Sequence, residues 1–446
     1  MQAQKKLLRF NNQHHRKLLF NKLKIKNMSI QNQQTKLNIG LFGFGVVGES
    51  LYKVLQTNSS LNAQISKVCI KHPEKKRNAP AELFTTNPED ILKDESINVV
   101  VELIDDAEAA LHIVSSALSS KKAVVSANKK LIAEHQGSLL ELQQIYNTPF
   151  LYESACCASI PVIRNLEEYY DNDLLQGING IVNGSTNYIL TRISEDGLDF
   201  AQALKLAQDE GFAESNPALD VEGKDAVNKL TILLTHAYGL VTHPETIVHT
   251  GIHKLHEEDA IYAKEKGYEI KLVAQAKKLE DGKIAAFVLP QFLKKDSQLY
   301  NVRNEYNGVI IESGLADKQF FYGKGAGGFP TASAVLSDLS ALRYDYRYEY
   351  KKLRYQQPAE LSNDFYLRVY VSFDALFQVP HEIFEHIDEW SSNNRRCSVV
   401  GIIHFSKLLN NSWWKQNNTS LLVLPDAIVP YTPKKSIQKE RELVFA

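Results

Sequence analysis

The stretch GFAESNPALDVEGKDAVNK, residues 211–229, sets Glu214, Asp220, Glu222 and Asp225 beside Lys224 and Lys229. The segment after it, LTILLTHAYG, reads as a buried helix. Asp225 and Lys229 are four residues apart, so on a helix beginning near Lys224 they share one face. Val227, Leu230, Leu234 and Ala237 give that helix a neighbouring apolar face. A lysine at the rim of an apolar site can give a proton to an oxygen and take it back. Desolvation eases loss of that proton, while a nearby carboxylate opposes the loss and fixes the geometry. Interconverting a carbonyl and an alcohol needs this proton relay. A solvated ion pair is the ordinary alternative for such a cluster, so the rest of the chain must decide.

A hydride source would complete the reaction, and the chain offers a place for one. In KLNIGLFGFGVVGESLYKVL, residues 36–55, a short apolar strand leads into Gly43-Phe44-Gly45-Val46-Val47-Gly48 and then a helical pattern. This strand–turn–helix context makes the glycine spacing a dinucleotide fingerprint. Gly43 permits the tight turn, Gly45 lets a pyrophosphate approach, and Gly48 lets helix and strand pack closely. The helix N-terminus offers free N–H groups to the phosphates. The second strand, ISKVCI, ends in KHPEKKR, residues 71–77, and not in the acid that would hold ribose hydroxyls. Its basic residues, Lys71 first, favour a 2′-phosphate and so NADP(H), with NAD(H) as the alternative. INVVVELI (97–104) is a buried central strand, and AVVSANKKLI (123–132) is a strand leading into a helix. Asn128 and Lys129 therefore stand at the crevice end of that strand.

Size and composition fit an enzyme of several domains. The chain has 446 residues, of which 44% are hydrophobic. A net charge of −1 gives no pull towards nucleic acid or a membrane surface. No apolar run reaches the ~20 residues a spanning helix needs. The four cysteines, Cys69, Cys156, Cys157 and Cys397, include an adjacent pair and no C-x-x-C spacing, which suits a reducing, cytoplasmic setting. Residues 1–27 carry eight Lys/Arg and no acid, and residues 1–35 read as a flexible basic extension.

The motifs LFGFGVVG, SANKKLIA, NGSTNYIL (183–190), GFAESNPALDVEGKDAVNKLTIL (211–233) and GKGAGGFPTASAVLSDL (323–339) together resemble the homoserine dehydrogenases, in order and spacing. The resemblance covers about residues 37–343. It implies an α/β protein: a Rossmann-type NAD(P)-binding domain, residues 37–150 completed by 322–345, and an α+β substrate and dimerisation domain, 151–321. It implies reversible NAD(P)H-dependent reduction of L-aspartate 4-semialdehyde to L-homoserine by a homodimer. Carried over, Lys229 and Asp225 are catalytic. Glu214 holds the substrate's amino group and Asp220 is another acid of the site; Asp225, Lys129, Thr186 and Asn187 are further candidates for the substrate pocket. Lys129, Gly325 and Gly327 join the first glycine motif at the cofactor. YESACCASIP, residues 152–161, resembles the family's loop for Na+ or K+. Glu153 would give a side-chain oxygen there, and Cys156, Ala158 and Ile160 would give carbonyls. Two departures stand out. Ala158 and Ser159 replace the usual glycines, and Asp105-Asp106 replaces Gly-Gly after the strand 97–104.

After the charged, aromatic linker RYDYRYEYKKLRYQQP, residues 360–430 suggest a small C-terminal ACT-like βαββ domain, with HEIFEHIDEWSS as its helix. The expected Asp-x-Pro-Gly turn is missing, which argues for a structural role over a threonine sensor. Two rivals remain. A phosphorylating semialdehyde dehydrogenase would use Cys156 or Cys157 as a thiolate beside a histidine. A non-catalytic cofactor or amino-acid sensor would keep the fold without turnover.

Overall fold

The computed structural model describes residues 36–430, apart from 58, 173, 356, 375–378, 380, 393–395 and 417. The basic extension expected over 1–35 lies outside the described residues. Six short parallel strands form the first sheet: β1 Leu37–Phe42, β2 Ala63–Cys69, β3 Phe84–Thr85, β4 Val99–Glu102, β5 Ala123–Ser126 and β6 Phe150–Leu151. Their order is β3-β2-β1-β4-β5-β6. The order reverses between β1 and β4, and a ligand crevice opens at the carboxyl ends of strands at such a switch point. The longer helices between these strands are α1 Val46–Thr57, α2 Ala107–Ser119 and α3 Lys129–Tyr146.

The second sheet is larger. Its strands are β7 Leu175–Ile181, β8 Val248–His249, β9 Glu269–Lys278, β10 Ile284–Leu293, β11 Tyr306–Ser313, β12 Asp317–Lys324, β13 Tyr366–Asp374, β14 Phe384–Ser392, β15 Arg396–His404 and β16 Thr419–Val429. They run β12-β11-β7-β9-β10-β16-β13-β15-β14, with β8 on β10. The helices that carry the site are α4 Val162–Glu168, α5 Gly184–Asp196 and α6 Lys224–Tyr238. The apolar periodicity of α6 puts Leu230, Ile232, Leu233 and Leu234 in the main core. The chain then returns to the first half as α7 Gly328–Leu342, which packs on α1. A Cβ at Gly328 would collide with Ser50 and crowd Val46, so the starts of the two helices touch.

The C-terminal unit corrects the expected βαββ order. In HEIFEHIDEWSS, a single 3-10 turn at His381–Ile383 leads into β14, an edge strand antiparallel to β15, in place of a helix. Two bulges in its register explain why its sequence has a helical pattern. Phe384, Ile387 and Trp390 pair with Ile403, Gly401 and Val399, which are alternate positions of β15. Each bulge adds one residue, so apolar side chains three apart fall on one sheet face. A spacing of three in sequence looks like a helix stripe. This unit also shares its core with the rest of the chain. Ala285, Phe287 and Leu289 of β10 pack with Phe365, Leu367 and Phe405, while Ile284, Ala286 and Val288 face the main core. The segment 343–358 is likewise packed down, with Tyr348 buried and Lys352 Nζ donating to the carbonyls of Leu166 and His236, each at 2.7 Å.

Candidate active site

Asp225, in the first turn of α6, is the centre of the charge cluster. Its Oδ2 meets Lys229 Nζ at 2.8 Å and its Oδ1 meets Lys129 Nζ at 2.9 Å. Asn183 Nδ2 donates to Asp225 Oδ2 at 2.8 Å and to Asp220 Oδ1 at 2.6 Å. Lys229 Nζ also donates to the carbonyl of Val182 at 2.7 Å. Asp225 and Lys229 are buried, while Lys129 is half-exposed and opens the cluster to the crevice. Burial alone would push the Asp225 carboxyl up. The ammonium groups of Lys129 and Lys229, with the Asn183 amide, outweigh burial and hold it well below the usual carboxylate range. The Asp225 charge in turn pushes Lys129 up. This pair is thus fixed as carboxylate and ammonium, with a second lysine alongside.

Three chain segments position these groups. Asn183 caps α5: its Oδ1 accepts from Thr186 N at 2.8 Å, which frees the amide nitrogen to hold both acids. Lys129 is the first residue of α3, capped by Asn128, whose Oδ1 accepts from Leu131 N at 3.0 Å. In the last turn of α6, His236 is fully buried between Glu167 Oε1 at 2.6 Å and Tyr152 Oη at 2.9 Å.

The other expected site residues scatter. Thr186 is buried, with its hydroxyl bonded to Asn183 Oδ1 at 2.9 Å. Asn187 is also buried, and its amide is used on the carbonyls of Val302, Asn304 and Tyr306. Neither side chain joins the cluster; the helix cap absorbs one and a loop anchor the other. Asn183, three residues before Thr186, is the side chain of this turn that joins the acids, and its signal is an Asn just before a helix. Glu214 is exposed, without an ion pair among the described residues, and Gln208 Nε2 pins its backbone carbonyl at 3.0 Å. Glu222 and Lys224 pair with each other at 2.6 Å on the rim.

The glycine motif has the shape a dinucleotide needs. Gly43 has φ 92°, and a Cβ there would collide with the Leu103 carbonyl. A Cβ at Gly48 would collide with the carbonyl of Gly43. Gly45 faces open space, with nothing within 4 Å of where its Cβ would be. Val46 and Val47 begin α1, and Val46 is exposed. Gly327 caps α7 with φ 111°, and Gly325 lies against Asn307. Two helix starts therefore adjoin at the motif. Phe44 packs edge-on against Phe84, and the Arg77 guanidinium lies 5.6 Å over that same ring. The basic loop is thus folded back towards the motif, with Lys71, Lys75 and Lys76 exposed.

In the 152–161 loop, Cys157 and Ala158 take positive φ (54° and 40°), so the turn expected of glycines forms without them. Glu153 is buried, and its two oxygens accept from Ile163 N and Arg164 N, each at 2.9 Å. Its own N–H donates to Asp338 Oδ2 at 2.9 Å. Burial pushes Glu153 up to about 8, helped by the nearby Asp338, and burial pushes Asp338 up to about 7. Two buried carboxyls with Arg164 as their cationic partner are short of positive charge, and a cation among these oxygens suits that deficit. Burial also pushes the Cys156 thiol well up and Cys157 to about 11, so neither is poised as a thiolate.

A parallel sheet with the dinucleotide turn at its switch point, and a lysine–carboxylate cluster across the crevice, define an NAD(P)-dependent oxidoreductase. Family models agree. "Homoserine dehydrogenase, NAD binding domain" matches residues 43–153, and "Homoserine dehydrogenase" matches residues 161–340. The chain is similar to the homoserine dehydrogenase of Helicobacter pylori, 37% identical over 311 residues, covering 68% of this chain and 73% of that one. That of Bacillus subtilis is 34% identical over 354 residues, covering 75% and 81%. The crystal structure of the Thiobacillus denitrificans homoserine dehydrogenase superposes with a TM-score of 0.75 at 28% identity, covering 87% of this chain and 98% of that chain. A hyperthermophilic archaeal homoserine dehydrogenase mutant in complex with NADPH gives 0.60 at 25% identity, covering 71% and 100%. The chain belongs to the homoserine dehydrogenase family. Its activity is the reversible NAD(P)H-dependent reduction of L-aspartate 4-semialdehyde to L-homoserine, a step towards threonine, methionine and isoleucine.

Proposed function

We propose that Lys229 is the proton donor and acceptor of this reaction and that Asp225 fixes it in place. The observation that carries the reading is the Lys129–Asp225–Lys229 cluster, with Asp225 and Lys229 buried and both carboxylate oxygens engaged. In the reducing direction Lys229 gives its proton to the carbonyl oxygen as charge develops there. In the oxidising direction, neutral Lys229 takes the proton from the hydroxyl. Bound NADP(H) supplies or takes the hydride. Asp220, held beside Asp225 by Asn183, and Glu214 on the same loop are carboxylates for the substrate's ammonium group. Lys129 faces the crevice, where substrate carboxylate and cofactor both need a cation.

Residues 43–48 with Gly325 and Gly327 hold the cofactor's phosphates in this reading. Lys71, with Lys75, Lys76 and Arg77, selects NADP(H) over NAD(H). Glu153, with the carbonyls of Cys156, Ala158 and Ile160, holds Na+ or K+, which supplies charge compensation. The chain acts as a homodimer through its substrate domain. The four cysteines, all free, suit a cytoplasmic enzyme. Among the described residues no helix is long and apolar enough to cross a membrane.

The test is homoserine-dependent NADP reduction at alkaline pH, wild type against Lys229→Ala. Clear wild-type turnover with a loss of on the order of 10²–10⁴ in kcat supports the relay. Equal rates remove Lys229 from that role.

A further inference from the structure

Glu102 ends β4 as the one charged residue of a wholly buried strand, fully buried itself. A carboxyl in that position needs partners, and they form a closed ring. Glu102 Oε2 accepts from Ser126 Oγ at 2.5 Å. Ser126 Oγ in turn accepts from Asn128 N at 3.0 Å. Asn128 Nδ2 donates to the Ile104 carbonyl at 3.0 Å, and Ile104 N donates back to Glu102 Oε1 at 2.7 Å. The ring ties the carboxyl ends of β4 and β5 together at the crevice. Asn128 is also the cap of α3, and the next residue is Lys129, whose Nζ reaches Asp225.

We infer that Glu102 is a positioning residue: through Ser126 and Asn128 it fixes the start of α3 and so aims Lys129 at Asp225 and at bound ligand. The inference rests on the reading of Lys129 as a ligand-facing cation. Without the carboxyl, Ser126 Oγ loses its acceptor and Ile104 N its partner, both at the crevice floor. The cap then loosens at its Asn128 end, and Lys129 loses its pre-set direction. Gln at 102 keeps the shape and can close the ring again, donating to Ser126 Oγ and accepting from Ile104 N.

Two measurements test this. The first is mass-spectrometric labelling of lysines in the ligand-free protein, reading Lys129 against Lys130 on the same helix. Glu102→Ala should raise the Lys129/Lys130 ratio several-fold, and Glu102→Gln should return it to near the wild-type value. The second is a cycle of kcat/KM for homoserine over Glu102→Ala, Lys129→Met and the double variant. A loss of about tenfold for Glu102→Ala, carried mainly by KM and absent once Lys129 is already Met, is expected. An unchanged labelling ratio, or additive losses in the cycle, overturns the inference while leaving the role of Lys129 intact. Wild-type kinetics in Lys129→Met overturns the reading of Lys129 and this inference with it.

Discussion

The carboxylate of Asp225 meets the ammonium of Lys229 at 2.8 Å, one helical turn apart, with both side chains more than nine-tenths buried. A buried charge left alone is far more costly than a buried pair. Asp225→Asn should therefore lower stability by about 3–5 kcal/mol, because two ammonium groups lose their shared counter-charge. Asp225→Asn combined with Lys229→Met should recover part of that loss and stay inactive. Urea melts and homoserine turnover on the three variants check both statements. An Asp225→Asn protein as stable as wild type would show the cluster to be wet.

Asn183 holds two carboxylates with one amide nitrogen while its oxygen caps α5. Asn183→Ala removes the cap and frees Asp220 from Asp225. A stability loss of about 1–2 kcal/mol is expected from the cap. A higher KM for homoserine is expected as well, since Asp220 is no longer held. Asn183→Ser keeps a cap oxygen and should restore stability more than KM. Parallel recovery of both would mean that the amide's grip on the acids is unimportant.

The glycines of the dinucleotide turn should respond differently to one added methyl. Gly45 faces open space, so Gly45→Ala should fold normally and bind NADP(H) poorly. Gly48 is pressed on the Gly43 carbonyl, so Gly48→Ala should lower the melting temperature even without cofactor. Melting curves and NADPH fluorescence titration separate the two. Equal cofactor affinity in Gly45→Ala and wild type would move the phosphates away from this turn.

Glu153 and Asp338, raised to about 8 and about 7 by burial, give stability a definite pH slope. Their folded forms hold protons more tightly than the unfolded chain does. Their contribution is therefore intact below about pH 4, the unfolded carboxyl range. It is lost as pH rises through about 7 and 8. The melting temperature should fall over that rise, and K+ or Na+ should restore it more at pH 8 than at pH 5. Thermal melts in potassium chloride against tetramethylammonium chloride check this. A flat pH response, or identical melts in both salts, would leave the loop without its ion.

Much of this was legible in the sequence because it rests on local rules. The glycine turn between strand and helix, and Asp225 and Lys229 one turn apart, need only short-range geometry. The rest needs tertiary knowledge. Thr186 and Asn187 follow Asn183 by three and four residues, and nothing in NGSTN says which amide faces the acids and which faces the 302–306 carbonyls. Glu102 closes an apolar run in the sequence, but its partners Ser126 and Asn128 lie on another strand and its loop. The strand 384–392 reads as a helix in the sequence because its two bulges imitate a helical repeat.

The strand β10 is buried on both sides, by the main core on one and by Phe365, Leu367 and Phe405 on the other. Its neighbour β16 comes from the last part of the described chain. The tail is thus no detachable module. Ending the chain at the 343–358 segment would bare a hydrogen-bonding edge of β10 together with its apolar face of Ala285, Phe287 and Leu289, a surface that invites self-association. Exchange of this tail between relatives by recombination would have to carry β10 along with it.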